Sequence, residues 1–170
     1  MALLDLGHVD EARLYLMEVY IESNEPKKAE TMPDAGIQAG IRSLGKNHVG
    51  VLMGRGDLAR VYARPGRFEK AEKLSLDIVK AIKATCGADH PDYIYGLWKL
   101  AQIYILQGKY EIAKDASKMG LERTGERLTP DHPLTKDLDN MVRVLEDDES
   151  TAADFSKLVP VSIPQVSSNA

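Results

Sequence analysis

The sequence predicts an all-α chain of stacked helical hairpins, and three observations predict it. Two separate landmarks recur with one period. Histidine closes Gly45-Lys-Asn-His48, Gly87-Ala-Asp-His90 and Thr129-Pro-Asp-His132, each 42 residues from the next. Gly66-Arg-Phe-Glu-Lys-Ala71 and Gly108-Lys-Tyr-Glu-Ile-Ala113 keep the same 42-residue step, and Asn24-Glu-Pro-Lys-Lys-Ala29 stands one step upstream. A fixed period of this length marks a repeat architecture. Between the landmarks the spacing is helical. Leu97, Leu100, Ala101 and Tyr104 lie at i, i+3, i+4 and i+7; Leu58, Ala59 and Tyr62 keep that register one unit earlier, and Leu16 and Tyr20 one unit before that. Strand evidence is nearly absent. Phe, Trp and Tyr make up only 6% of the chain, and the alternating Val159-Pro-Val-Ser-Ile-Pro contains prolines that cannot join a ladder.

In chain order, the first helix of each unit, helix A, is expected at about residues 8–22, 50–64, 92–106 and 134–146. The second, helix B, is expected at about 26–43, 68–84 and 110–126. Each linker histidine precedes an A helix, where it can bond the exposed backbone of the first turn. Pro91 and Pro133 suit the first helical position, where no N–H is needed. Gly66 and Gly108 can take the left-handed conformation that ends a helix. Ala29, Ala71 and Ala113 are small where helix B presses on helix A, and a larger side chain would force the pair apart. The first B helix carries Pro33, Gly36 and Gly40, which are expected to kink and loosen it. Gly7-His-Val-Asp-Glu-Ala12 imitates the turn signature in another register; the 42-residue register is preferred because it aligns Leu16, Tyr20 and Ala29.

One hairpin cannot bury its apolar stripe alone, whereas about three stacked hairpins can. The expected architecture is three hairpins plus a fourth A helix acting as a C-terminal cap, where Glu146 replaces the tyrosine found at Tyr104. Residues 1–146 are read as the array. Residues 147–170, rich in turn formers and without a helical period, are read as a disordered tail. Phe155, Leu158 and Val159 offer a short docking motif or a segment that folds back, and a flexible end is the reading adopted.

Composition narrows the functional classes. The chain has 170 residues, 44% hydrophobic and 28% charged, which are globular values. A net charge of −4 gives no basic field for nucleic acid or anionic membrane. The single cysteine, Cys86, points to a reducing compartment. Asp5 interrupts the N-terminal apolar run, against a secretory signal, and no run approaches the roughly 18 apolar residues of a membrane span. A soluble, cytoplasmic protein is expected.

The run Leu100-Ala-Gln-Ile-Tyr104-Ile-Leu-Gln-Gly108-Lys-Tyr110-Glu-Ile-Ala113 resembles the tetratricopeptide repeat signature. Together with the Gly-x-Asp-His-Pro linker at Gly87–Pro91, the 42-residue period is similar to the kinesin-light-chain-like variant of that repeat. The resemblance covers about residues 8–146. It is strongest in the third unit and weakest in the first. It implies a right-handed α-solenoid whose A helices line a concave groove for partner peptides. By that geometry the groove is lined by Glu11, Leu14, Tyr15 and Glu18, then by Met53, Gly56, Asp57, Arg60 and Arg64. Further along it is lined by Tyr95, Trp98, Lys99 and Gln102, and finally by Asp137, Asn140 and Met141. Two recognition modes of the family are not matched. Glu11 and Glu18 stand where a carboxylate clamp needs Lys and Asn. Gly56-Asp57 and Trp98-Lys99 stand where kinesin light chains carry paired asparagines. What remains is an aromatic platform of Tyr95 and Trp98 beside Arg60 and Arg64, which suits a peptide with an apolar anchor and flanking acids. Packing between repeats is the alternative fate of Trp98, and a solvated helix face that of the arginines.

Sharper chemistry finds less support. Cys86 and His90, with Asp89 between them, form a tempting nucleophile–base pair. Cys86, however, sits at a helix C-terminus, the wrong end of the dipole for thiolate activation. Its repeat counterparts, Leu44 and Leu128, mark an apolar packing position. His48, His90 and His132 cannot share one zinc, since stacked helices lie roughly 8–10 Å apart and Zn–N bonds are about 2 Å. No cofactor motif is present. The sequence therefore points to a non-catalytic protein-interaction module. The alternative is a structural segment that self-associates through its repeat ends.

Overall fold

Helix starts and stops follow the linker chemistry. In the computed structural model, which describes residues 36–63, 66–125, 127–147 and 152–159, each A helix begins just after a linker histidine. The elements are α1 (Val49–Ala63), α2 (Phe68–Cys86), α3 (Pro91–Leu106), α4 (Tyr110–Thr124), α5 (Pro133–Glu146) and α6 (Ala152–Lys157). A helical stretch over residues 36–44 precedes α1. Nδ1 of His48, His90 and His132 accepts the backbone N–H of Gly50, Asp92 and Leu134 at 3.2, 3.3 and 3.2 Å. The histidine is thus the N-cap acceptor of each described A helix. The A-to-B turns are also alike. Gly66 and Gly108 have φ of 80° and 72°, and Arg67 and Lys109 donate back to the carbonyls of Tyr62 and Tyr104. The first predicted A helix, Ala29 and Pro33 lie outside the described residues.

Packing follows chain order. α1 pairs with α2, α2 with α3, α3 with α4 and α4 with α5, while α3 also touches α1 and α5. Ala71 and Ala113, where the B helices cross the A helices, are fully buried. The central helix α3 buries Tyr93, Ile94 and Leu97 and everything from Lys99 to Ile105, because it has a neighbour on nearly every side. Each buried Leu or Ile there contributes roughly 1.5–3 kcal/mol relative to exposure. Among the described residues there is no strand, and the whole is an all-α helical repeat solenoid.

Gly36 and Gly40, expected to loosen the first B helix, lie in the helical stretch over residues 36–44. Gly40 also serves close packing, since a Cβ there would lie 3.0 Å from Val51 Cγ2. One expectation is corrected. The tail is not disordered throughout: α6 packs across α3 and α5. Leu158 and Val159 are buried in the main core, and the Phe155 ring lies 4.2 Å from that of Tyr110. Phe155, Leu158 and Val159 stand at i, i+3 and i+4, a short helical stripe that the flanking acidic and turn-forming residues obscured. At the array's end, Glu146 bonds Lys118 of α4 at 2.5 Å, and that lysine holds its carboxyl below the usual carboxylate range.

Candidate functional site

The A helices α1, α3 and α5 carry the predicted groove residues, and their register decides which ones reach the surface. Asp57 and Lys99 occupy equivalent positions one repeat apart. Lys99 Nζ reaches Asp57 Oδ1 at 2.5 Å, with side chains only 8% and 19% exposed. Gly56 lies against this bridge: a Cβ there would meet Lys99 Cδ at 3.4 Å, an ordinary contact. The same ammonium lies 4.8 Å from the centre of the Tyr95 ring, which stacks on Trp98 at 5.2 Å with 25° between the planes. One connected strip, Asp57–Lys99–Tyr95–Trp98, therefore ties α1 to α3. Tyr95 and Trp98 are half-buried, and Trp98 packs against two of the core clusters. It is an inter-repeat spacer and a partly open aromatic surface together.

The predicted site residues separate into three groups. Asp57, Arg60, Tyr95 and Trp98 remain partly accessible. Lys99 and Gln102, expected to face a partner, are interior: Lys99 is 6% exposed and Gln102 not at all. The reason is the position of α3, flanked by α1 and α5 as well as by its two B helices, which narrows the face left open. Glu11, Tyr15, Glu18 and Arg64 lie outside the described residues. On α5, Asp137 and Asn140 are exposed and Met141 is buried. A crevice of about 10 Å3 opens beside Met53, Gly56 and Lys99, which admits about one water molecule. The lysine–aspartate bridge was missed in the sequence, although opposite charges exactly one repeat apart were its visible signal.

Comparison with known proteins agrees with this geometry. Residues 51–126 match the tetratricopeptide repeat family model. No curated protein sequence matches the chain. Two solved structures from Podosopora anserina, of putative kinesin light chain nearly identical TPR-like repeats (one a Q17M form), share the fold with a TM-score of 0.65 at 19% identity. The similarity covers 79% of this chain but only 63% and 64% of those chains. No helix among the described residues is long and apolar enough to cross a membrane. Residues 51–126 thus carry tetratricopeptide repeats, and the chain folds as an all-α helical repeat solenoid.

Proposed function

We propose that this chain is a non-catalytic, cytoplasmic interaction module that binds a partner peptide along its A helices. Tetratricopeptide repeats in general mediate protein–protein contacts. The observation that carries the reading here is the half-open Tyr95–Trp98 stack, with Arg60 partly accessible on the neighbouring α1. Stacked aromatics give a rigid apolar anchor, and an accessible arginine on the adjacent A helix favours a peptide with acidic flanks. Glu11, Tyr15, Glu18 and Arg64 extend the proposed surface towards the N-terminus, and Asp57 stays on it as the partner of Lys99. Stacking through the C-terminal end is disfavoured. On α5, Lys136, Asp137, Asp139, Asn140, Arg143 and Glu146 are all exposed, the polar outer face of a terminal repeat.

Trp98 is the only tryptophan, so its fluorescence reports on this surface directly. Titration with peptides holding one aromatic or leucine anchor between acidic residues should shift that emission saturably. Arg60→Glu should weaken the binding about tenfold or more. Saturable binding that leaves Trp98 emission and the Arg60→Glu affinity unchanged would move the site elsewhere.

A further inference from the structure

The linker between α2 and α3 differs from its two repeats in the residues around its histidine. Cys86 and Asp92 flank His90, whereas Leu44 and Gly50 flank His48, and Leu128 and Leu134 flank His132. Helix α2 ends at Cys86, and Gly87, with φ of 93°, turns the chain back towards the start of α3. The turn gathers three ligand types: the Cys86 sulfur, a His90 ring nitrogen and an Asp92 carboxylate oxygen lie within 4.8 Å of one another. Cys86 is half-buried; of its counterparts, Leu44 is 56% exposed, whereas Leu128 packs against the cluster of Ile94, Leu134 and Leu138. The position is thus only partly enclosed, which leaves the thiol within reach of solvent.

The grouping of His90 with a thiol and a carboxylate points to a cation. Its Nδ1 accepts the N–H of Asp92 and lies 3.2 Å from Oδ2 of the same aspartate. That nitrogen has one lone pair, already used in the cap, so the ring meets a cation through Nε2 or gives up the cap bond. A cation held by the ring and the carboxylate gains a third donor in the Cys86 sulfur. We propose that Cys86, His90 and Asp92 form a binding site for a zinc-type divalent cation, with a fourth position open to water.

A thiolate, an imidazole and a carboxylate are the ligand types of zinc, whereas magnesium and calcium take oxygen alone. Tetrahedral bonds of about 2.0–2.3 Å put ligand atoms roughly 3.3–3.6 Å apart. Closing the site asks for small movements of the His90 and Asp92 side chains, which are 44% and 34% exposed. The N-terminus of α3 opposes a cation with about half a positive charge, and two anionic ligands outweigh it. On binding, the thiol proton leaves to solvent and the sulfur takes the metal in its place. Asp89 pairs with Arg123 at 3.5 Å and stays outside the set. The site is independent of the peptide-groove reading.

The test is titration with Co2+, followed by displacement with Zn2+. Cys86 is the only thiol, so a thiolate-to-cobalt charge-transfer band reports on this site alone. One equivalent of Co2+ should give that band with tetrahedral visible absorption, and Zn2+ should remove both. Cys86→Ser should abolish the band. His90→Asn, which keeps a capping side chain, and Asp92→Asn should each weaken Zn2+ binding about tenfold or more, while His132→Asn should not. The proposal is overturned if no band appears. It is also overturned if His90→Asn and Asp92→Asn bind Zn2+ like the parent chain, which would mean an adventitious ion on a single thiol only. Should a variant fail to fold, alkylation of Cys86 in the unaltered chain decides. Protection by one equivalent of Zn2+ and none by Mg2+ supports the site, and equal rates with and without Zn2+ sink it.

Discussion

Lys99 carries its ammonium into a position that is 6% exposed, and Asp57 meets it at 2.5 Å. The two partners are not equally enclosed, so their removal should not cost the same. Asp57→Ala strands a buried lysine and should destabilise the chain by about 2–4 kcal/mol. Lys99→Met leaves an aspartate that water can reach, fills the space with apolar volume and should cost about 1 kcal/mol or less. Urea denaturation of both variants measures the difference; equal losses would mean that the bridge is better solvated than its geometry indicates. Both charges were legible in the sequence, and both were read as facing a partner. A single-helix pattern gives the angle of a side chain about its own helix. It does not give the lean of the neighbouring A helix, and that lean joined the pair.

Among the elements, the glycines show where helices approach most closely. A Cβ on Gly120 of α4 would stand 3.1 Å from both terminal methyls of Leu138 and 3.7 Å from Leu97 Cβ. Leu138 is fully buried and has little room to yield. Gly120→Ala should therefore lower stability by about 1–2 kcal/mol, even though alanine favours a helix by about 1 kcal/mol over glycine. Gly56→Ala offers the contrast. Its new methyl would meet the flexible stem of Lys99 at 3.4 Å, an ordinary contact, so helix propensity should win by about 0.5–1 kcal/mol. Thermal melts of the two single variants should shift in opposite directions. Helix boundaries were legible because histidine caps, prolines at the first turn and left-handed glycines act locally. The close approach at Gly40 was not legible, because a glycine in a helical pattern looks the same whether it loosens the helix or admits a neighbour.

For the whole molecule, a solenoid sums intrinsic repeat stabilities and nearest-neighbour interfaces. Here α5 presents a polar outer face, and the segment over residues 152–159 adds Leu158 and Val159 to the main core. Leu158→Ala should cost about 2–3 kcal/mol if that segment is a structural part of the array. A freely moving tail would show a change near zero. Denaturation of this variant within the full chain distinguishes the two.

The sequence by itself determined the repeat period, the helix order and the caps. Each depends on residues within one turn or linker, where chemistry acts over a few bonds. Tertiary structure alone decided that Lys99 and Gln102 are interior and Tyr95 and Trp98 half-open. It also decided that Phe155, Leu158 and Val159 are docked, and that Cys86, His90 and Asp92 converge. These depend on how neighbouring helices lean, and on where a turn returns the chain. The period of a repeat fixes which residues are equivalent. Packing of one unit on the next, summed over many weak contacts, decides which of them meet.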